Sequence, residues 1–170
     1  MSKGIENSPP TGSSAVQQEI AQTRPFHSVG AEVAVGILRT AAVVARYFNQ
    51  VTSPRGITIQ QYNVLRILRG AGPDGLPTLT IRDRMIHEAP GITRLVDKLE
   101  HAGLVRRERS SPDRRQVFCH ITPKGIALVE ELRLPIDAAD DMAVTMLSPE
   151  QQRQLIKLLD SVREGHARRG

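Results

Sequence analysis

Arginine is the residue type whose number and spacing carry chemistry here. Between Leu104 and Lys124 six basic residues (Arg106, Arg107, Arg109, Arg114, Arg115 and Lys124) face only Glu108 and Asp113. Most of the formal net charge of +5 therefore sits in this one stretch. Guanidinium groups at that density suit phosphate, to which they offer both charge and a planar fork of N–H donors. A second polar set, Thr93, Arg94, Asp97, Lys98 and His101, recurs at helical spacing just upstream. Other chemistry has less to build on. Cys119 is the single cysteine, which excludes an intrachain disulfide and fits a reducing cytoplasm. The histidines His27, His87, His101, His120 and His166 form no closed ligand set, and Cys119 and His120 point to opposite faces of a strand, so no metal is expected. His87-Glu88 has no nucleophile or oxyanion donor in a recognisable pattern, so neither catalysis nor a cofactor is expected.

The elements that hold these side chains can be read in turn. Thr80 has the form of a cap for a short helix through Met85 and Ile86, with Asp83 three residues on. Pro90 suits the first turn of a second helix, Pro90 to Ala102, whose Ile92, Leu95, Val96 and Leu99 make one buried stripe. Gly103 ends it. Two extended runs follow, Leu104 to Arg109 and Gln116 to Ile121, joined by a turn over Ser110 to Arg115. In the second run Val117, Cys119 and Ile121 alternate toward the core, with Phe118 and His120 opposite. Helix, turn, helix and a two-stranded wing form the layout of a DNA reader. The duller reading is that Arg106, Arg107 and Arg109 make only a solvated strand face.

The remainder of the 170 residues reads as scaffold for that stretch. The chain is 39% hydrophobic and 3% aromatic, without Trp, so its core is aliphatic. Residues 1–28 form a flexible tail, Ser-, Pro- and Gly-rich as far as Ser14, with a short helix from Ala15 to Thr23. Val29 to Val51 is a long helix apolar around much of its circumference, which calls for cover on more than one side. Ser53-Pro54-Arg55-Gly56 breaks it, and Thr58 with Gln61 forms a capping box for the next helix. Gly70 to Pro77 reads as a loop, after which Leu79 suggests a short third strand. Thr122-Pro123 starts a helix that Pro135 should kink, and Ser148 to Gln151 caps a last helix that frays from Gly165. The fold expected is mainly α with a small β-wing: a winged helix-turn-helix domain over residues 58–122, a dimerisation helix over 29–57 and C-terminal dimerisation helices over 123–166. No stretch is long and apolar enough to span a bilayer, and no apolar signal core opens the chain, so neither membrane insertion nor secretion is expected.

The run Ile92 to Glu100, then Gly103-Leu104-Val105, Asp113-Arg114-Arg115 and Ile121-Thr122-Pro123-Lys124-Gly125, resembles the MarR family of bacterial transcriptional regulators. The likeness includes the D-x-R wing turn and the [LI]-T-x-x-G helix start, and it extends in element order from Val29 to Val162. It implies a homodimer of winged helix-turn-helix subunits on palindromic double-stranded DNA, often a repressor and often released by a small ligand. On that resemblance Pro90, Gly91, Thr93 and Arg94 are the readers and Lys98 a phosphate contact, although Ser or Thr frequent in the family near Glu88 and Gly91 are missing here. In the wing, beside Arg107 and Arg109, Asp113 holds the turn through Arg115, while Arg114 or Arg115 enters a narrow minor groove. An effector would lie near Arg39, Tyr47 and Tyr62. The alternative function is a winged-helix module for protein contacts or unspecific nucleic-acid binding, without choice of operator.

Overall fold

The computed structural model describes residues 14–86, 91–109 and 117–167. The chain divides into two compact units, residues 1–47 and 48–170. In the first, α1 (Ala15–Glu19) precedes the start of α2 (Val29–Thr52). α1 is shorter than its sequence suggests because Ala21 adopts φ 52°, in the left-handed region that a helix of L-residues does not propagate. The Ser28 hydroxyl accepts the Ala31 N–H at 3.1 Å and starts α2.

The second unit begins with the last residues of α2, where Phe48 and Val51 pack on the core and Thr52 is fully buried. Gly56, at φ 73°, turns the chain after a 3₁₀ turn over Ser53–Arg55. α3 (Ile59–Ala71) opens on the expected capping box: Thr58 Oγ1 accepts the Gln61 N–H at 3.2 Å, and Gln61 Oε1 accepts the Thr58 N–H at 2.9 Å. α3 runs on through Gly70 and Ala71, the first two residues of the expected loop. A 3₁₀ turn over Gly72–Asp74 then delivers β1 (Leu76–Pro77).

The third strand thus exists, but at Leu76–Pro77 and not at Leu79. Its register sets Leu76 opposite Cys119 and Pro77 opposite Phe118. Gly75 makes the approach possible, since a β-carbon there would lie 2.5 Å from the Cys119 carbonyl oxygen. Leu79 instead sits in α4 (Thr78–Asp83), 62% exposed. α4 begins directly after Pro77, so Thr80 lies inside it and is not its cap, and Met85 and Ile86 fall beyond its end. The Asn63 side chain takes up the Ile86 N–H at 3.1 Å.

α5 (Ile92–His101) leads into β2 (Val105–Arg109) and β3 (Val117–Ile121), giving an antiparallel sheet of order β1-β3-β2. Val64, Leu65 and Leu68 of α3, Ile81 of α4, Val96 and Leu99 of α5, and Val129, Leu132 and Ile136 of α6 (Pro123–Ala143) form the core around Cys119. Each such aliphatic side chain contributes about 1.5–3 kcal/mol by leaving water. Thr122 caps α6 by accepting the Gly125 N–H at 3.1 Å, with Pro123 in the first turn. α6 continues through Pro135 and stops at Ala143, short of Met146. The Ser148–Gln151 box opens α7 (Pro149–Ala167) as expected, and the helix runs past Gly165. Among the described residues no helix is long and apolar enough to cross a membrane.

Candidate nucleic-acid interface

α5 owes its orientation to its own apolar stripe. Ile92, Val96 and Leu99 are buried and Leu95 packs against the same core, which leaves Thr93, Arg94, Asp97, Lys98 and His101 exposed on the opposite side. The helix starts at Ile92, with Gly91 in the cap position and no side chain capping it, so it begins later than the Pro90 start inferred from proline's preference. Pro90 itself, with His87 and Glu88, lies outside the described residues.

The other end of α5 is closed firmly. Gly103 at φ 69° donates to the Glu100 carbonyl at 2.8 Å, and Leu104 N–H reaches the Leu99 carbonyl at 2.9 Å, the paired bonds of a Schellman stop. Lys124 Nζ donates to the Ala102 carbonyl at 2.9 Å, placing a cation at the helix's negative end. The Thr122 hydroxyl donates to the Gly103 carbonyl at 2.8 Å while it caps α6. Helix, wing and α6 are thereby tied at one junction.

The wing pairs β2 with β3 from Val105↔Ile121 to Arg109↔Val117. Its basic side chains have three different situations. Arg106 Nη1 holds Glu108 Oε2 at 2.8 Å. Arg107 turns to α5, with Nη1 2.7 Å from Asp97 Oδ1 and Nη2 2.5 Å from Glu100 Oε2. Arg109 is exposed and has no ionic partner among the described residues, and the same holds for Arg94 and Lys98 on α5. Arg107 was expected to face DNA; in the free chain its guanidinium is held by two carboxylates on α5. Hydrogen bonds from Arg107 lower the Glu100 pKa, and the same bonds raise that of Arg107. The wing residues Asp113, Arg114 and Arg115 lie outside the described residues.

Cys119 is fully buried and 3.5 Å from Thr78 Oγ1, and burial raises its thiol pKa, as for a small apolar core residue rather than a reactive thiolate. Ile121 packs on the core as the strand alternation demands. Phe118 and His120, expected on the face opposite Cys119, are half-buried; β3 is the central strand, and His120 Nδ1 lies 3.1 Å from the Pro73 carbonyl oxygen. Of the residues suggested for an effector, Arg39 is held by Glu19 at 2.9 Å, Tyr47 is 44% exposed, and Tyr62 is buried in the core, which raises its pKa. Among the described residues no group of three or more His, Cys, Asp or Glu is placed to hold a metal ion.

An exposed polar helix after a short helix and turn, flanked by a basic antiparallel wing, defines the winged helix-turn-helix class of DNA-binding proteins. The MarR family model matches residues 55–116. The HTH-type transcriptional regulator FarR of Neisseria gonorrhoeae is 30% identical over 139 residues, which covers 79% of this chain and 91% of that protein. The chain belongs to the MarR family and is a DNA-binding transcriptional regulator, not an enzyme. Two solved structures share its fold at lower identity. A Staphylococcus aureus MepR–DNA complex superposes with TM-score 0.71 at 23% identity, over 78% of this chain and 96% of that one. Bordetella bronchiseptica BpsR, from a study of how 6-hydroxynicotinic acid regulates its DNA binding, gives TM-score 0.71 at 22% identity, over 78% and 98%.

The signal that reading the sequence missed is the pair Asp97 and Glu100. They stand one helical turn apart on α5, ten and seven residues before Arg107, and a charge count along the chain treats them as neutralising nothing in particular.

Proposed function

We propose that two copies of this chain bind a palindromic operator in the cytoplasm and repress the genes beside it. The observation that carries this reading is the set of exposed cations without an ionic partner among the described residues, Arg94 and Lys98 on α5 and Arg109 at the end of β2, on adjoining elements of one lobe. In this reading Pro90, Gly91, Thr93 and Arg94 face base edges in the major groove and Lys98 meets phosphate. Arg109 and the wing-tip residues Asp113, Arg114 and Arg115 serve the adjoining backbone and minor groove. Residues 58–122 would form the reading domain and residues 29–57 with 123–166 the dimer contact, with 1–28 as tail. Two α5 helices related by a two-fold axis require half-sites about one duplex turn, ~34 Å, apart.

The apolar residues that α7 leaves exposed, among them Ile156 at 59% and Leu158 at 58%, support the two-chain arrangement. A small effector is proposed to release the DNA by favouring a spacing of the two α5 helices that does not fit it. The regulation of BpsR by a small acid supports this, and Arg39 and Tyr47 are the residues to substitute first.

The deciding experiment is enrichment of a random duplex library by the full chain, followed by competition of the winner against random duplex. A palindromic winner that resists a large excess of random DNA is expected. Enrichment of no sequence would leave only the reading as an unspecific or protein-binding module.

A further inference from the structure

We infer that Arg107 is a positioning residue that locks the wing strand to the reading helix and shields its carboxylates from DNA, not a contact to DNA itself. This rests on the reading that α5 enters the groove.

The attachment has several points. The Arg107 backbone N–H donates to Glu100 Oε1 at 3.2 Å, and its Nε donates to Glu100 Oε2 at 2.8 Å. Nη2 reaches the same Oε2 at 2.5 Å and Nη1 reaches Asp97 Oδ1 at 2.7 Å. β2 is an edge of the sheet, and the Arg107 N–H points away from β3 toward α5. An unpaired edge amide and a guanidinium fork are therefore satisfied together by carboxylates on α5. No other described residue links wing and reading helix through an ion pair.

Charge argues the same way. One guanidinium between two carboxylates leaves the trio with a net negative charge, so it has no attraction to offer a phosphate. Asp97 stands one turn from both Arg94 and Thr93 and beside Lys98, on the exposed face of α5. Unpaired, its carboxylate and that of Glu100 would be repelled by a phosphate-lined groove. Pairing with Arg107 reduces that repulsion while it fixes where β2, and hence Arg109, stands relative to Arg94.

The test uses the full chain, an operator duplex enriched as above, and binding measured at one ionic strength. Arg107→Gln in the parent is expected to lower affinity about tenfold or more. The same change in an Asp97→Asn/Glu100→Gln background is expected to cost about twofold or less, because no carboxylates remain to shield. An equal or larger loss in that background would overturn the inference, since a true phosphate contact would gain when freed from its carboxylates. Arg107→Lys keeps the charge but not the fork. It should also bind less tightly than the parent, and parental affinity counts against the positioning role.

A second measurement needs no DNA: amide hydrogen exchange at residue 107 in the free protein. Glu100→Ala should bring that amide to the rate of an exposed edge, and an unchanged rate would refute the lock. If no duplex is enriched, the operator reading fails by itself and the exchange measurement still decides this one.

Discussion

The carbonyl oxygen of Leu104 lies against the α-carbon of Gly125, so closely that a β-carbon on residue 125 would stand 2.3 Å from it and 2.7 Å from Ile121 Cγ1. That carbonyl also accepts the Thr122 N–H at 3.1 Å. The start of α6 is thus pressed onto the root of the wing, and glycine is needed for the space it leaves empty rather than for an unusual φ. The obstructing atom belongs to backbone and cannot rotate aside. Gly125→Ala should therefore destabilise the chain by about 1–3 kcal/mol, as overpacking does. Thermal or urea unfolding of the two proteins checks this, and equal midpoints would mean that the α6–wing junction yields without cost.

Arg94 and Lys98 should separate in their effects on binding. Arg94, in the first described turn of α5, is the candidate for base edges, so Arg94→Ala should cost about 1–3 kcal/mol on the operator and much less on random duplex. Lys98, one turn further along, should lose affinity for both alike and lower the slope of log K against log salt by about 0.9. Titrations of both variants on both duplexes at several salt concentrations supply the comparison. Equal losses for Arg94→Ala on the two duplexes would remove it from the reading set.

How much of this was legible in the sequence depended on the range of the interaction responsible. The Thr58–Gln61 and Ser148–Gln151 boxes close within four residues, and both stand where composition placed them. The stripe Ile92, Val96 and Leu99 oriented α5 because helical period alone decides which face is apolar. Long-range choices were not legible. β1 fell on Leu76–Pro77 because β3, more than forty residues on, offered a partner there, and a local pattern centred on Leu79 has no knowledge of that edge. Nor does a count of arginines reveal that Arg107 pairs with Asp97 and Glu100 while Arg109 has no ionic partner among the described residues. Sequence locates charge; only the fold says which charges are already spent on each other.

The Glu100–Arg107 pair should give the stability a defined acid limb. Arg107 lowers the Glu100 pKa in the folded state, so the folded chain holds that proton less tightly than the unfolded chain does. The contribution is therefore fully present above the ordinary glutamate value of ~4.3. It is lost as pH falls through the lower folded value. Both side chains are about a third exposed, 31% and 36%, so solvent screens the pair and the effect is modest. Urea midpoints of the parent and of Glu100→Gln should differ at neutral pH and converge in acid. A gap that widens as pH falls would contradict the sign.

α7 supplies the sharpest test of the two-chain arrangement. Leu155, Leu158 and Val162 recur at helical spacing with exposures of 38%, 58% and 40%, and within one chain nothing covers them fully. A 19-residue helix in water gains little from propensity alone and depends on burying such a stripe. Two copies meeting along it would bury aliphatic surface at about 25 cal/mol per Å². Leu155→Asp with Leu158→Asp would set two charges into that contact without disturbing the core around Cys119. Sedimentation should show two chains for the parent and a single chain for this variant, and binding to a full palindrome should fall to the level of a half-site. A doubly substituted protein that still sediments as two chains would place the dimer contact elsewhere.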